Sequence, residues 1–441
     1  MSDSQIKNFL AKKIKDKVAK ICIIGLGYVG LPLAVEFAKE GFFVYGIDCD
    51  IDKIDSLKKS KSYIQDIYGS DLKDLLKRKR FHFSNSYSSL NNADAVIICV
   101  PTPLRKTKEP DISHILDVAN KIKEHIRKGQ LIILESTTYP GTTQELLSEL
   151  FSKDRLKVGR DFFLAFSPER IDPGNKTYNT ANITKVVGGI TKDCTLLAKF
   201  LYEQIVDSVF SVSCAKVAEM SKLLENTFRA VNIGLINEIA LMCNKLNIDV
   251  WEVIEAAKTK PFGFMAFYPG PGLGGHCLPI DPHYLTWKAR LSGFEPRLID
   301  IASQINSSMP SYVVDRVIDL INQRLKRSIK AAKVLVIGVA YKKNVSDMRE
   351  SPALEILHLL IKHKANVEYF DPYISQIKLE QQSYRSIKLT ESKLKGSHCT
   401  VIATDHDNID FDFILKNSKL IFDTRNVYNN KKDKRIVYIS S

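Results

Sequence analysis

Cys277 is the residue of this chain best placed to do covalent chemistry. It stands in Tyr268-Pro-Gly-Pro-Gly-Leu-Gly-Gly-His-Cys-Leu-Pro-Ile-Asp-Pro282, a loop crowded with glycine and proline. Such a loop lets backbone come close to a ligand and holds a thiol in a fixed place. A thiolate there would attack an aldehyde to give a thiohemiacetal, whose oxidation yields a thioester that water cleaves. That route needs a hydride acceptor, cationic or amide groups for the oxyanion, and a carboxylate to handle the water.

Each of those groups has a candidate. Lys222 and Asn226 lie four apart in a stretch of helical spacing and share one face. Asp281 follows the cysteine by four residues. Glu169 sits in Phe166-Ser-Pro-Glu-Arg-Ile-Asp-Pro-Gly174, a loop after an apolar strand. Plainer readings stand beside these. Lys222 and Asn226 could form an ordinary exposed helix face, Glu169 could cap its own turn, and Asp281 could be a helix N-cap. Cys277 could be a packed thiol. Arg229, three residues past Asn226, could face substrate or solvent. Adjacent side chains seldom converge, so His276 suits a structural or substrate-contact role better than that of a base for Cys277.

The hydride acceptor is signalled far upstream. Gly25-Leu-Gly27-Tyr28-Val29-Gly30 follows a strand and opens a helix. Gly25 permits the tight turn, Gly27 lets amides approach a pyrophosphate at the helix N-terminus, and Gly30 lets helix and strand pack. Asp48 ends the next strand, at the separation of a ribose-diol acceptor. An acid there would repel a 2′-phosphate, so NAD is favoured over NADP. Lys53, Thr102 in Pro101-Thr-Pro103, and the Ser136-Thr137 pair complete the cofactor candidates. The two latter segments end strands, where such sheets hold ligands. A nucleotide-free α/β turn and plain turn chemistry are the alternatives.

Strand and helix signals alternate around these residues. Strands are expected at 20–24, 42–47, 93–100 and 130–134, with a helix over 31–40 stopped by Gly41. That rhythm implies a doubly wound parallel sheet. Residues 215–247 read as one long helix or a helix pair, and 249–258 as a further helix. After about Pro310 the α/β rhythm returns, with strands at 333–338, 365–371, 398–403 and 419–423. The second lobe repeats the first in outline without the full glycine fingerprint. The fold class expected is therefore α/β: two Rossmann-like doubly wound parallel-sheet domains joined by a central helical segment.

Composition narrows the class. The chain has 441 residues, 44% of them hydrophobic and 26% charged, as in a globular protein of two or three domains. No apolar run reaches the roughly 18 residues that span a bilayer, and the start lacks a signal-peptide core, which places the protein in the cytoplasm. The net charge of +14 is spread along the chain beside acidic residues, with no nucleic-acid-binding motif. The tract Lys12–Lys20 reads as a basic surface helix leading into the first strand. The eight cysteines include no Cys-x-x-Cys, so neither a disulfide framework nor a zinc site is expected.

Together these motifs resemble the nucleotide-sugar 6-dehydrogenases, which act on UDP-glucose and UDP-N-acetylhexosamines. The resemblance covers about Ala19 to Asn426. It is carried by Gly-Leu-Gly-Tyr-Val-Gly-Leu-Pro, Glu-Ser-Thr137, Ser-Pro-Glu169-Arg, Glu219-Met-Ser-Lys222-Leu-Leu-Glu-Asn226, Gly-Gly-His-Cys277-Leu-Pro-Ile-Asp281 and Tyr341-Lys-Lys-Asn. It implies an NAD-binding Rossmann domain over residues 1–210. A central helical domain over 211–312 would carry the cysteine loop and the dimer contacts, and a UDP-sugar-binding Rossmann-like domain would span 313–441.

By the same resemblance, Cys277 is the nucleophile and Lys222 with Asn226 stabilise the oxyanion. Asp281 assists proton transfer, Glu169 supports thioester hydrolysis, and Thr137 holds the water. Arg349 would lie on the nicotinamide side, and Lys342 and Arg425 would contact UDP. Arg170, Arg229, Gly274, His276 and Tyr341 are further substrate-contact candidates. Two NAD would be reduced per sugar, no metal is implied, and a homodimer or larger homo-oligomer is expected.

The loop around Glu169 departs from the UDP-glucose pattern, which reads Asn-Pro-Glu-Phe-Leu with an acid four positions on. Here position 173 is proline and Asp172 precedes it. Ser-Pro-Glu-Arg-Ile-Asp-Pro-Gly-Asn175 resembles the N-acetylhexosamine branch, nearer to the UDP-N-acetylglucosamine enzymes than to the N-acetylmannosamine ones. The leading expectation is therefore UDP-N-acetylglucosamine 6-dehydrogenase, supplying a uronic acid for a surface polysaccharide. UDP-glucose or UDP-N-acetylmannosamine oxidation is the near alternative, and a non-catalytic NAD-binding sensor the distant one.

Overall fold

The computed structural model describes residues 3–64, 67–105, 107–152, 156–172 and 177–440. Pro173, Gly174 and Asn175 of the substrate-branch loop lie outside them. The chain divides into two compact units, one comprising residues 1–225 and 283–292 and the other 226–282 and 293–441.

Among its described residues the first unit holds an eight-stranded sheet. In chain order its strands are β1 Lys20–Ile24, β2 Phe43–Ile47, β3 Phe81–Ser84, β4 Ala95–Ile98, β5 Leu131–Leu134, β6 Phe163–Phe166, β7 Lys185–Gly189 and β8 Val209–Ser211. The spatial order is β3-β2-β1-β4-β5-β6-β7-β8. In β1, β4, β5 and β6 consecutive residues are buried, because helices cover both faces of the sheet. One pairing departs from the expected parallel pattern: β7 runs antiparallel to β6, with Phe166 opposite Gly188.

The N-terminal helix also differs from its expected place. It spans Asp3–Lys15 rather than 12–20, and Ile6, Leu10 and Ile14 bury one stripe at four-residue spacing. The basic tract drew attention to its charges, whereas the apolar stripe upstream decides where the helix packs.

The second unit is built on a five-stranded parallel sheet. After β9 Lys333–Ile337 and β10 Asn366–Phe370 come β11 Gln376–Leu379 and β12 Gln382–Arg385, which form a separate antiparallel hairpin, then β13 Cys399–Ile402, β14 Ile421–Asp423 and β15 Ile436–Tyr438. The sheet order is β10-β9-β13-β14-β15. It repeats the first sheet's turn. Gly25 N donates to Ile47 O and Gly338 N to Phe370 O, both at 2.8 Å, and both glycines have positive φ.

Residues 215–246 form a single helix, Ala215–Leu246, which contributes to both units. The helix Arg297–Leu325 runs through Pro310, after which the α/β rhythm is expected to return. Proline removes the hydrogen bond to the carbonyl four residues back, here that of Asn306. A side chain at Gly272 would come within 3.3 Å of that oxygen, so the cysteine loop packs where the helix ladder is open.

Candidate functional site

The glycine turn of the first unit has the form of a pyrophosphate cradle. Gly25 has φ +92°, and a Cβ there would meet Cys99 O at 2.4 Å, so only glycine fits. A Cβ at Gly30 would meet Gly25 O at 1.8 Å, whereas nothing lies within 4 Å of one at Gly27. The turn is thus packed against the protein at its ends and open at its centre, at the N-terminus of the helix Gly30–Lys39.

Asp48 holds this turn. Its carboxylate accepts from Leu26 N at 2.8 Å and from Asp50 N at 2.9 Å. Lys53 Nζ lies 3.7 Å from it and 5.9 Å from the Tyr63 ring centroid. Each carboxylate oxygen keeps a lone pair for a diol, so these residues fit NAD. Tyr28 is exposed, and Val29 and Thr102 are half-buried. Ser136 is buried, and its hydroxyl donates to Ile98 O at 3.3 Å.

Beyond β5, the turn carrying Ser136 and half-buried Thr137 is fixed from the long helix. Buried Glu219 accepts from Gly141 N at 2.6 Å, Thr143 N at 2.9 Å and the Thr143 hydroxyl at 2.7 Å. One turn further along that helix, Lys222 is buried, which removes the exposed-face reading at its position. Its ammonium donates to the backbone carbonyl of Glu169 at 2.6 Å.

The side chain of Glu169 both caps its turn and forms an ion pair. One oxygen accepts from Arg170 N at 2.6 Å and Ile171 N at 2.8 Å, and the other receives Lys185 Nζ at 3.0 Å. Burial would raise its carboxyl, but the Lys185 charge and these donors outweigh that and hold it below the usual range. Arg170 donates to Thr184 O at 2.8 Å and pairs with Glu225 at 2.8 Å, so its guanidinium is spent on the protein.

In the second unit Cys277 is half-buried, and its carbonyl accepts from Ile280 N at 3.0 Å and Asp281 N at 2.8 Å. The loop therefore closes as a turn into the helix Asp281–Leu291. Asp281 is the first helical residue rather than a cap outside it, and its buried carboxylate accepts from Asn226 Nδ2. Gly275, at φ +84°, sits against the Tyr341 ring, which a Cβ would meet at 2.9 Å. Gly274 is equally close, at 2.7 Å from Tyr341 Cβ. Gly275 N donates to Arg349 O at 3.0 Å, while the Arg349 guanidinium grips Asp347 at 2.6 Å.

His276 and Lys342 are half-buried, and Arg229 is exposed. Arg425 donates to Ala403 O at 2.8 Å and lies against Gly270, where an added Cβ would be 2.8 Å from it.

Several residues that build the site carried no recognisable sequence signal. Lys185 heads an apolar strand, just as Lys20 and Lys333 do, yet those two are exposed and Lys185 is buried. Asn237 accepts from Gly270 N and donates to Asn306, each at 3.0 Å, fixing the start of the cysteine loop. Among the described residues, no group of three or more His, Cys, Asp or Glu could hold a metal ion. None of the described helices is long and apolar enough to cross a membrane.

Comparison with known proteins agrees with this geometry. Residues 19–206, 216–308 and 335–430 match the NAD binding, central and UDP binding domains of the UDP-glucose/GDP-mannose dehydrogenase family. The chain belongs to that family. It is an NAD-dependent nucleotide-sugar dehydrogenase acting on a CH–OH group.

A UDP-N-acetyl-D-glucosamine 6-dehydrogenase from Pseudomonas aeruginosa is 38% identical, over 81% of this chain and 84% of its own. A UDP-N-acetyl-D-mannosamine dehydrogenase from Methanococcus vannielii is 34% identical over 95% of each. The structure of the UDP-N-acetylmannosamine dehydrogenase from Pyrococcus horikoshii superposes with a TM-score of 0.86. It has 32% identity, covering 96% of this chain and 99% of that one.

Proposed function

We propose that the chain oxidises C6 of UDP-N-acetylglucosamine to the carboxylic acid, with two NAD reduced per sugar, to supply a uronic acid for a surface polysaccharide. The observation that carries the chemistry is the immobilisation of the candidate groups: Lys222 is buried on the Glu169 carbonyl, and Asp281 is held by Asn226 beside the Cys277 turn. The sugar is supported by the Ser-Pro-Glu-Arg-Ile-Asp loop and by the P. aeruginosa relative.

NAD, when bound, takes up the electron pairs of both oxidations. Amides of the Gly25–Gly30 turn would bind its pyrophosphate, Asp48 its ribose diol, and Arg349 would serve the nicotinamide. Lys342 and Arg425 take the UDP, with Arg229 and His276 as further contacts. Cys277 forms the thiohemiacetal at C6 and then carries the thioester. Lys222 and Asn226 stabilise the oxyanion, as donors already fixed in place. Glu169 takes the proton of the water that Thr137 orients, and Asp281 serves proton transfer near the thiol. A homodimer or larger assembly uses the long helix.

A second reading, UDP-N-acetylmannosamine, is favoured by relatives that align over nearly the whole chain. Comparing kcat/KM for UDP-N-acetylglucosamine, UDP-N-acetylmannosamine and UDP-glucose separates the readings. Two NADH per sugar and loss of turnover in Cys277→Ser are expected. One NADH per sugar would sink the four-electron route.

A further inference from the structure

A buried carboxylate, Glu135, and a half-buried one, Glu169, flank a single buried ammonium at the carboxyl edge of the first sheet. Lys185 Nζ lies 3.1 Å from Glu135 and 3.0 Å from Glu169. The reversal of β7 puts it there. Antiparallel pairing brings the head of β7 to the end of β6, so Lys185 reaches the residues that follow β5 and β6. The lysines heading β1 and β9 stand on the opposite, amino-terminal edges of their sheets and are exposed.

The two carboxylates are not equivalent. Glu169 receives two backbone N–H groups as well as Lys185. Glu135 is fully buried, receives the Tyr202 hydroxyl on one oxygen, and has no hydrogen-bond partner on the other. One ammonium neutralises one carboxylate, and backbone donors decide which is ionised. The backbone donors favour the charge on Glu169. Burial and the nearby Glu169 charge push Glu135 up despite Lys185. The other groups facing this cluster are the Cys99 thiol, the ring of Tyr202 5.2 Å from Lys185 Nζ, and Lys222 on the Glu169 carbonyl.

We propose that Lys185 is a positioning residue, which holds the Glu169 carboxylate charged and turned for the water that cleaves the thioester. The proposal rests on the reading of Glu169 as the base of that step. Water oxygen bonds to the thioester carbonyl carbon, its proton passes to Glu169, and the C–S bond breaks with its electron pair left on Cys277 sulfur. Removing Lys185 leaves half-buried Glu169 without its main counter-charge, so it takes up a proton at higher pH and the step fails there first.

The test uses full-length Lys185→Met, Lys185→Arg, Glu135→Gln and Glu169→Gln, with NAD and whichever of the three UDP-sugars has the highest kcat/KM. In Lys185→Met the acid limb of the kcat–pH profile should move up by about one unit or more, with KM for the UDP-sugar within about twofold. Intact-mass spectrometry near pH 6.5 should show a sugar adduct on Cys277 that wild type lacks. Lys185→Arg should restore the wild-type limb, and Glu135→Gln should leave it in place. If Lys185→Met does not fold, a limb in Lys185→Arg at the wild-type position, against a shifted one in Lys185→Gln, supports the proposal.

An unmoved limb without adduct in Lys185→Met, while Glu169→Gln traps the adduct, overturns the role of Lys185 alone. Wild-type turnover in Glu169→Gln would instead overturn the reading on which it rests.

Discussion

The side-chain amide of Asn226 donates to the buried carboxylate of Asp281, four residues beyond the candidate nucleophile. The end of the cysteine loop is thus tied to the long helix by a hydrogen bond to a charged group, a kind that contributes about 1.5–3 kcal/mol. Asn226→Asp sets two carboxylates face to face. It should lower Tm at pH 7.5 and reduce kcat by at least tenfold. The Tm deficit should shrink as pH falls toward 5, because one acid of such a pair takes a proton early. A deficit independent of pH would show that the amide donor matters only sterically.

Asp48 has two tasks that can be separated. Its carboxylate fixes the glycine turn through Leu26 N and Asp50 N, and it offers lone pairs to a ribose diol. Asp48→Asn keeps the shape but weakens both acceptors. The KM for NAD should rise tenfold or more while the KM for the UDP-sugar stays within about twofold. The preference for NAD over NADP should narrow, since the repelling charge is gone. An unchanged NADP/NAD ratio would remove Asp48 from the ribose site.

Much of this was legible in the sequence, and the exceptions share a physical cause. β1, β2, β9 and β10 stood out because apolar runs end at glycine or aspartate, and the long helix because its spacing persists without proline. Lys185 did not, because a lysine heading an apolar strand reads the same on either edge of a sheet. Only the antiparallel β6–β7 pairing, a non-local event, buries it. Pro310 lies inside the helix Arg297–Leu325, where the surrounding helix packing overrides its local preference against helix interiors. The placement of Lys222 and Asn226 needed both levels: spacing put them on one face, and tertiary structure buried one and paired the other.

Asp423, at the end of β14, predicts a pH dependence of stability. Its carboxyl is fully buried and pushed up to about 6, burial outweighing the backbone donors of Arg425 and Tyr428. The folded value lies above the unfolded value near 3.9. Between about pH 4 and 6 the folded chain therefore holds a proton the unfolded chain has lost, and stability falls as pH rises through that window. The loss amounts to at most about 3 kcal/mol. Asp423→Asn should abolish it. Relative to wild type, its Tm should be higher at pH 8 than at pH 5. Parallel Tm–pH curves for the two proteins would show that Asp423 is ionised throughout.

The long helix carries an apolar stripe whose spacing invites a partner. Phe228, Leu235 and Met242 recur every seven residues and are all exposed, with Leu224 and Leu246 also exposed at the flanks. Seven-residue repetition of apolar side chains is the seam by which one helix packs along another. A monomer would leave this seam in water, at about 25 cal/mol for each Å². The proposed homo-oligomer would cover it with the same helix of a second chain, since an isologous contact needs only one self-complementary patch. Phe228→Glu with Leu235→Glu should therefore shift the protein toward monomer in light scattering at micromolar concentration. Because helix formers replace the apolar residues on an exposed face, helix content by circular dichroism should be retained. A double variant with unchanged mass in solution would place the assembly contact elsewhere.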